Sequence, residues 1–213
     1  MTVAWQHGVI RGAPARPAGH VVKVGGSLLD RRGWPDALAL LLTDLRPTLV
    51  VVGGGQLVDG LRAIDAACPR PARLMHDLAI DAMSLTARLV ADAIGLPLVR
   101  EVEAAAGVLD AAAWLRAAGP VASLPVGWHV TSDSIAAVVA GATGRRLVLA
   151  KSVPPPVGGD DLDALAAAGW VDAYFPFAAA GVAAIAWAAP RSPVSPQEPG
   201  SAGTGSELTS RPM

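Results

Sequence analysis

"VVKVGGS" at residues 21–27 and "LVVVGGGQ" at residues 49–56 are short β-branched runs, and each ends in glycines. Such runs read as buried strands and the glycines as the turns that stop them. Each is followed by apolar residues spaced three and four apart, "PDALALLLTDL" after the first and "QLVDGLRAIDAA" after the second, which is the period of a helix. Further along, "RLVLA" (146–150) and "VAAIAW" (182–187) read as strands and "LMHDLAIDAMSLTARLVADAI" (74–94) as a long helix. Strands alternating with helices predict an α/β protein, a three-layer α/β/α sandwich with a mainly parallel central sheet. In the long helix Met75, Leu78, Ala82, Leu85 and Leu89 form the stripe expected to face the core.

Lys23 interrupts the first strand two residues before its glycine turn. Strand alternation places it on the face opposite Val22 and Val24, reaching forward over the turn. In a parallel sheet all strands end at one edge, where ligands bind. Glycines there let backbone N–H groups approach an anion, and the helix after each turn aims its positive end at the same place. Gly25, Gly26 and Ser27 with Gly53, Gly54 and Gly55 therefore suggest a polyphosphate site, although either glycine group alone would serve equally well as a tight turn. Familiar phosphate fingerprints do not fit: there is no GxxxxGK followed by Ser or Thr, and the third glycine of a dinucleotide motif falls on Val58. A second lysine, Lys151, ends the strand "RLVLA". In "WHVTSDSIAA" Thr131 or Ser132 caps a helix and Asp133 lies in its first turn. Taken alone Asp133 is a helix-start acid; beside two strand-end lysines it is the counter-charge that orients them.

Composition narrows the classes. At 213 residues the chain has room for one domain with a full core. It is 52% hydrophobic, yet no uninterrupted apolar run reaches the roughly 18 residues of a membrane span. The net charge of -1 gives no general attraction to nucleic acid or anionic membrane. The N-terminus has no secretory pattern, so a cytoplasmic protein is expected. Cys68, the single cysteine, excludes an internal disulfide and reads as a small buried or half-buried apolar residue. Residues 1–18 are expected to form a flexible arm, 19–189 the folded domain, and 190–213, rich in Pro, Ser and Gly, a disordered tail.

"KVGGS", "VVVGGG", "TSDSIAA" and a late strand ending in lysine occur in the order seen in the amino acid kinase superfamily, which the chain resembles from about Val21 to Trp187. Within it the chain is most similar to the (5-aminomethylfuran-3-yl)methyl phosphate kinase group of methanofuran-type cofactor biosynthesis. "GGGQLVDGLRAID" resembles that group's glycines followed by Asp, Arg and Asp, here Asp59, Arg62 and Asp65. "HDLAIDAM" resembles its H-W-M-A-I-x-A-M segment, and "WHVTSDSIAA" its W-D-V-T-S-D-S-I-A block. Asp77 stands where the group tends to have Trp and His129 where it tends to have Asp.

The resemblance implies ATP-dependent transfer of a phosphoryl group to a small phosphorylated alcohol, with Mg²⁺ carried by the nucleotide, no metal ligand from the protein, and a homo-oligomeric assembly. Lys23, Lys151 and Asp133 would be catalytic. The glycines with Ser27, Ser152 and Val153 would bind ATP, and Asp59, Arg62, His76, Ile80, Met83, Trp128 and Ser132 the acceptor. Two of these have plainer alternatives: Arg62 could simply pair with Asp59 one helical turn away, and His76 could be a hydrogen-bonded structural histidine.

Overall fold

The computed structural model describes residues 4–12, 18–118, 124–156 and 160–191. A seven-stranded sheet runs in the order β1-β7-β6-β2-β3-β5-β4. Its strands are β1 (Trp5–Arg11), β2 (His20–Val24), β3 (Thr48–Val52), β4 (Leu98–Val99), β5 (Gly107–Leu109), β6 (Arg146–Ala150) and β7 (Ile185–Pro190). All pairings are parallel except β1 with β7.

Strands β2, β3 and β6 are buried almost throughout because both faces of the sheet are covered. On one face Val22, Val24, Val50, Val52 and Val148 pack against α1 (Trp34–Thr43) and the Ala87–Val90–Ala91 side of α3 (Ala72–Ile94). On the other, Val21, Leu49, Val51, Leu147 and Leu149 meet α4 (Ala111–Ala118), α5 (Ser132–Thr143), α6 (Leu162–Ala167) and α7 (Phe175–Ala178). The remaining helix, α2 (Gly55–Ala67), springs from the second glycine turn. Among the described residues no helix is long and apolar enough to cross a membrane.

Four sequence expectations change. Residues 5–11 of the expected arm are strand β1, paired residue by residue with β7 from Trp5 opposite Pro190 to Val9 opposite Ala186. Gly8 hid this strand from a β-propensity reading. Its missing side chain is replaced by the Trp187 indole, which comes within 2.3 Å of where a Cβ would stand. β7 accordingly runs to Pro190, three residues past the expected end, and the rest of the expected tail, 192–213, lies outside the described residues. In α3 only Met75 and Ala82 of the expected stripe are buried; Leu78, Leu85 and Leu89 are exposed, and Met83, Thr86, Ala87, Val90 and Ala91 face inward. Cys68, expected to be at least half-buried, is exposed at the end of α2.

Candidate active site

β2 and β6 are hydrogen-bonded neighbours in register, Lys23 opposite Leu149, so both strands deliver their lysines to the same sheet edge. α5 begins directly beside them. Thr131 is its N-cap, accepting from the Asp133 N–H at 3.3 Å, and Asp133 thereby points inward at 4% exposure. One carboxylate oxygen lies 2.8 Å from Lys23 Nζ and the other 2.7 Å from Lys151 Nζ. A single anion thus bridges one buried and one largely buried cation, leaving one net positive charge at the edge.

Burial alone would raise the Asp133 pKa, but the charges of Lys23 and Lys151 overcome it and hold the carboxyl below its ordinary value. For Lys151 burial wins: with the neighbouring Lys23 charge it lowers the ammonium to about 8, against the opposing pull of Asp133. The Lys151 ammonium also donates to the Trp170 carbonyl at 2.7 Å and sits 5.2 Å from the Trp170 ring centre.

The two glycine turns touch. A Cβ on Gly26 would fall 2.2 Å from the Gly55 nitrogen, and Gly55 has φ +54, so neither position accepts a side chain without displacing the other turn. This revises the expectation that all five glycines present free donors. The Gly25 N–H is used by the Ala150 carbonyl (2.8 Å) and the Gly53 N–H by the Val24 carbonyl (2.9 Å), both extending the sheet. The amides of Gly26, Gly54 and Gly55 have no such partner among the described residues. Ser27 donates to the Ser152 hydroxyl at 3.1 Å, tying the first turn to the segment after Lys151, and Val153 is exposed beyond it.

Beside the turns lies a cavity of about 190 Å³, lined by Gly26, Ser27, Gly53, Gly54 and Gly55 and by each expected acceptor residue: Asp59, Arg62, His76, Ile80, Met83, Trp128 and Ser132. α2 and α3 form one wall and the loop 124–131 the other. Arg62 pairs with Asp59 at 2.9 Å, as the plainer alternative had it, but the pair stands at the cavity mouth and the guanidinium also lies 5.3 Å from the Trp128 ring centre. The Trp128 indole donates to Asp65 at 2.8 Å, which holds that carboxyl below its usual range. His76 accepts from the Gly127 N–H through Nδ1, a long bond of 3.4 Å that leaves Nε2 to carry the proton of the neutral ring.

Asp172 was not among the expected site residues. It follows β6 and α6 in the chain, yet accepts from Thr131 and Ser134 at the head of α5 as well as from the nearby Tyr174 N–H. No local pattern could reveal it, since its α5 partners are 38 and 41 residues earlier.

No protein-family model and no curated protein matches the chain. Among solved structures, UMP kinase from Ureaplasma parvum aligns over 78% of this chain and 85% of its own, with a TM-score of 0.55 and 14% identity. The fold is that of the amino acid kinases. Uridylate kinase from Archaeoglobus fulgidus aligns at 20% identity and a TM-score of 0.47, and the match spans 63% of each chain. The amino acid kinase fold accounts for the sheet with helices on both faces.

Proposed function

We propose that this protein is an ATP-dependent kinase whose acceptor is a small phosphorylated alcohol, (5-aminomethylfuran-3-yl)methyl phosphate in the first instance, converted to its diphosphate. The observation that carries this is the bridge of Asp133 between Lys23 and Lys151 at 2.8 and 2.7 Å, beside open backbone donors at the sheet edge. Phosphoryl transfer asks little covalent chemistry of the protein. Its transition state spreads negative charge over the equatorial oxygens, which fixed positive charge stabilises. A phosphate oxygen of the acceptor attacks the γ-phosphorus, the bond from that phosphorus to the β,γ-bridging oxygen breaks, and ADP departs with its electron pair. Lys23 would hold γ-phosphoryl oxygens and Lys151 the leaving end, while the free amides of Gly26, Gly54 and Gly55 support the same oxygens. Mg²⁺ belongs to the nucleotide substrate.

The cavity favours a small acceptor over a nucleotide. Its volume of about 190 Å³ is below the roughly 300–1,000 Å³ usual for drug-sized ligands. Ile80, Met83 and the Trp128 face suit a flat, weakly polar ring, and Arg62 can fork onto a phosphate once Asp59 is displaced. A coupled ADP-release assay against furan, isoprenoid and nucleoside phosphates, acidic amino acids and a no-acceptor control tests the proposal. Turnover greatest with the furan phosphate is expected. Turnover greatest with UMP would move the acceptor to that of the fold neighbours, and nucleotide binding without turnover would make the protein a non-catalytic binder.

The same helices supply a surface for a second copy. α2 buries none of its 13 residues, with Leu57 and Ile64 exposed. On α3 Leu74, Leu78, Leu85 and Leu89 form an exposed stripe at spacings near a heptad. Leu85→Glu with Leu89→Glu should convert the wild-type oligomer to monomer by light scattering; a monomeric wild type removes the assembly.

A further inference from the structure

The turn that carries Asp133 is held from outside its own helix. Asp172 accepts with Oδ2 from the Thr131 N–H (2.9 Å), the Thr131 hydroxyl (2.7 Å) and the Ser134 N–H (3.0 Å). With Oδ1 it accepts from the Ser134 hydroxyl (2.5 Å) and the Tyr174 N–H (3.1 Å). The contacts fall on both sides of Asp133, two residues before it and one after. Two residues upstream of Asp172, the Trp170 carbonyl accepts from Lys151. Residues 170–174 therefore support two of the three charged groups at the sheet edge without contributing one of their own.

We propose that Asp172 is a positioning residue: it fixes the head of α5 so that the Asp133 carboxylate stays in contact with both Lys23 and Lys151. Five donors saturate its oxygens, and a carboxylate at a helix N-terminus is further favoured by the helix dipole. Asn at this position must turn an NH₂ group toward donors, whichever way the amide lies, so the turn has to give. Asp133 then recedes from the ammonium groups. This inference builds on the kinase proposal for its kinetic consequence only; the effect on the lysines is independent of it.

The test is Asp172→Asn in the full chain, with Asp161→Ala as a reference for plain loss of a helix cap. Asp161 caps α6 through bonds to the Asp163 and Ala164 N–H groups and touches none of the three charged groups. The readouts are melting temperature, the Lys151 pKa from NMR of isotope-labelled lysine, and kinetics with both substrates varied. Lys151 faces Lys23, Asp133 and the Trp170 carbonyl and ring, and of these the Asp133 carboxylate raises its pKa.

Asp172→Asn should therefore move Lys151 at least half a unit further down and lower kcat about tenfold, with both KM values within threefold of wild type. Asp161→Ala should lower the melting temperature with neither change. An unmoved Lys151 and an unchanged kcat in Asp172→Asn would reduce Asp172 to a structural cap and overturn the proposal. Where Asp172→Asn fails to fold, Ser134→Ala is measured in its place: a smaller downward shift of Lys151 supports the positioning role, and no shift overturns it. A wild type inactive toward every acceptor would end the kinase proposal while the Lys151 titration still decides the role of Asp172.

Discussion

Two charge clusters flank the candidate site and differ in every physical respect. Lys23 and Asp133 are buried and Lys151 is largely so, they come from a strand, a helix and a strand end, and Lys151 is further tied to the Trp170 carbonyl. Asp59 and Arg62 sit one turn apart on a helix without a buried residue, with side chains 69% and 43% exposed. Water screens the second pair, and such pairs contribute roughly 0–1 kcal/mol. The first has lost its water, so removing one member leaves its partners unbalanced in a poor dielectric. A preorganised field suits the transition state, which lasts too briefly for side chains to move, whereas an exchangeable pair suits a substrate that must enter and leave. Under the kinase proposal, burial would divide the labour between catalysis and acceptor capture.

Breaking the buried cluster should have the largest effect. Lys23→Met and Lys151→Met should each cut kcat a hundredfold or more, about 3 kcal/mol, with circular dichroism unchanged. Near-normal turnover in either would remove the cluster from the chemistry. Next comes the exposed cluster, where Arg62→Ala should raise the acceptor KM by tens-fold and leave ATP binding intact. Arg62→Lys should recover part of this, since an ammonium cannot make the guanidinium fork. An unchanged acceptor KM would take Arg62 out of the site.

The pH dependence separates the clusters further. Lys151 is depressed to about 8 in the folded protein, so its charge is present below that pH and lost as pH rises through it. kcat/KM should fall about tenfold per unit above pH 8, and saturating ATP, whose phosphates favour the ammonium, should move the limb upward for kcat. A flat profile to pH 10 would deny the ammonium a role. The smallest effect belongs to Asp59→Asn, which should change unfolding free energy by less than about 1 kcal/mol, checked by urea denaturation.

The parts of the fold written in local sequence were legible. β2, β3 and β6 begin and end where their β-branched runs do, and both lysines and Asp133 could be assigned to one edge because a parallel sheet leaves no other arrangement. What was illegible depended on distant partners. β1 exists because β7 pairs with it and Trp187 covers Gly8. The inward face of α3 is the one whose Ala87, Val90 and Ala91 meet the strand valines, while the leucines that the expectation turned inward are exposed. The five glycines were correctly located, but two had their N–H groups engaged by strand neighbours, a matter of register that no glycine count reports.

The contact between Gly26 and Gly55 sets a ruler inside the molecule. Because the turns meet backbone to backbone, their separation is fixed by van der Waals radii and not by any side chain that substitution could shorten or lengthen. Under the kinase proposal, adjustment to acceptors of different length would fall to the far wall of the cavity, lined by His76, Ile80, Met83 and Trp128. On that proposal a change of substrate would be a change of the end stop, with the zero mark held by two glycines.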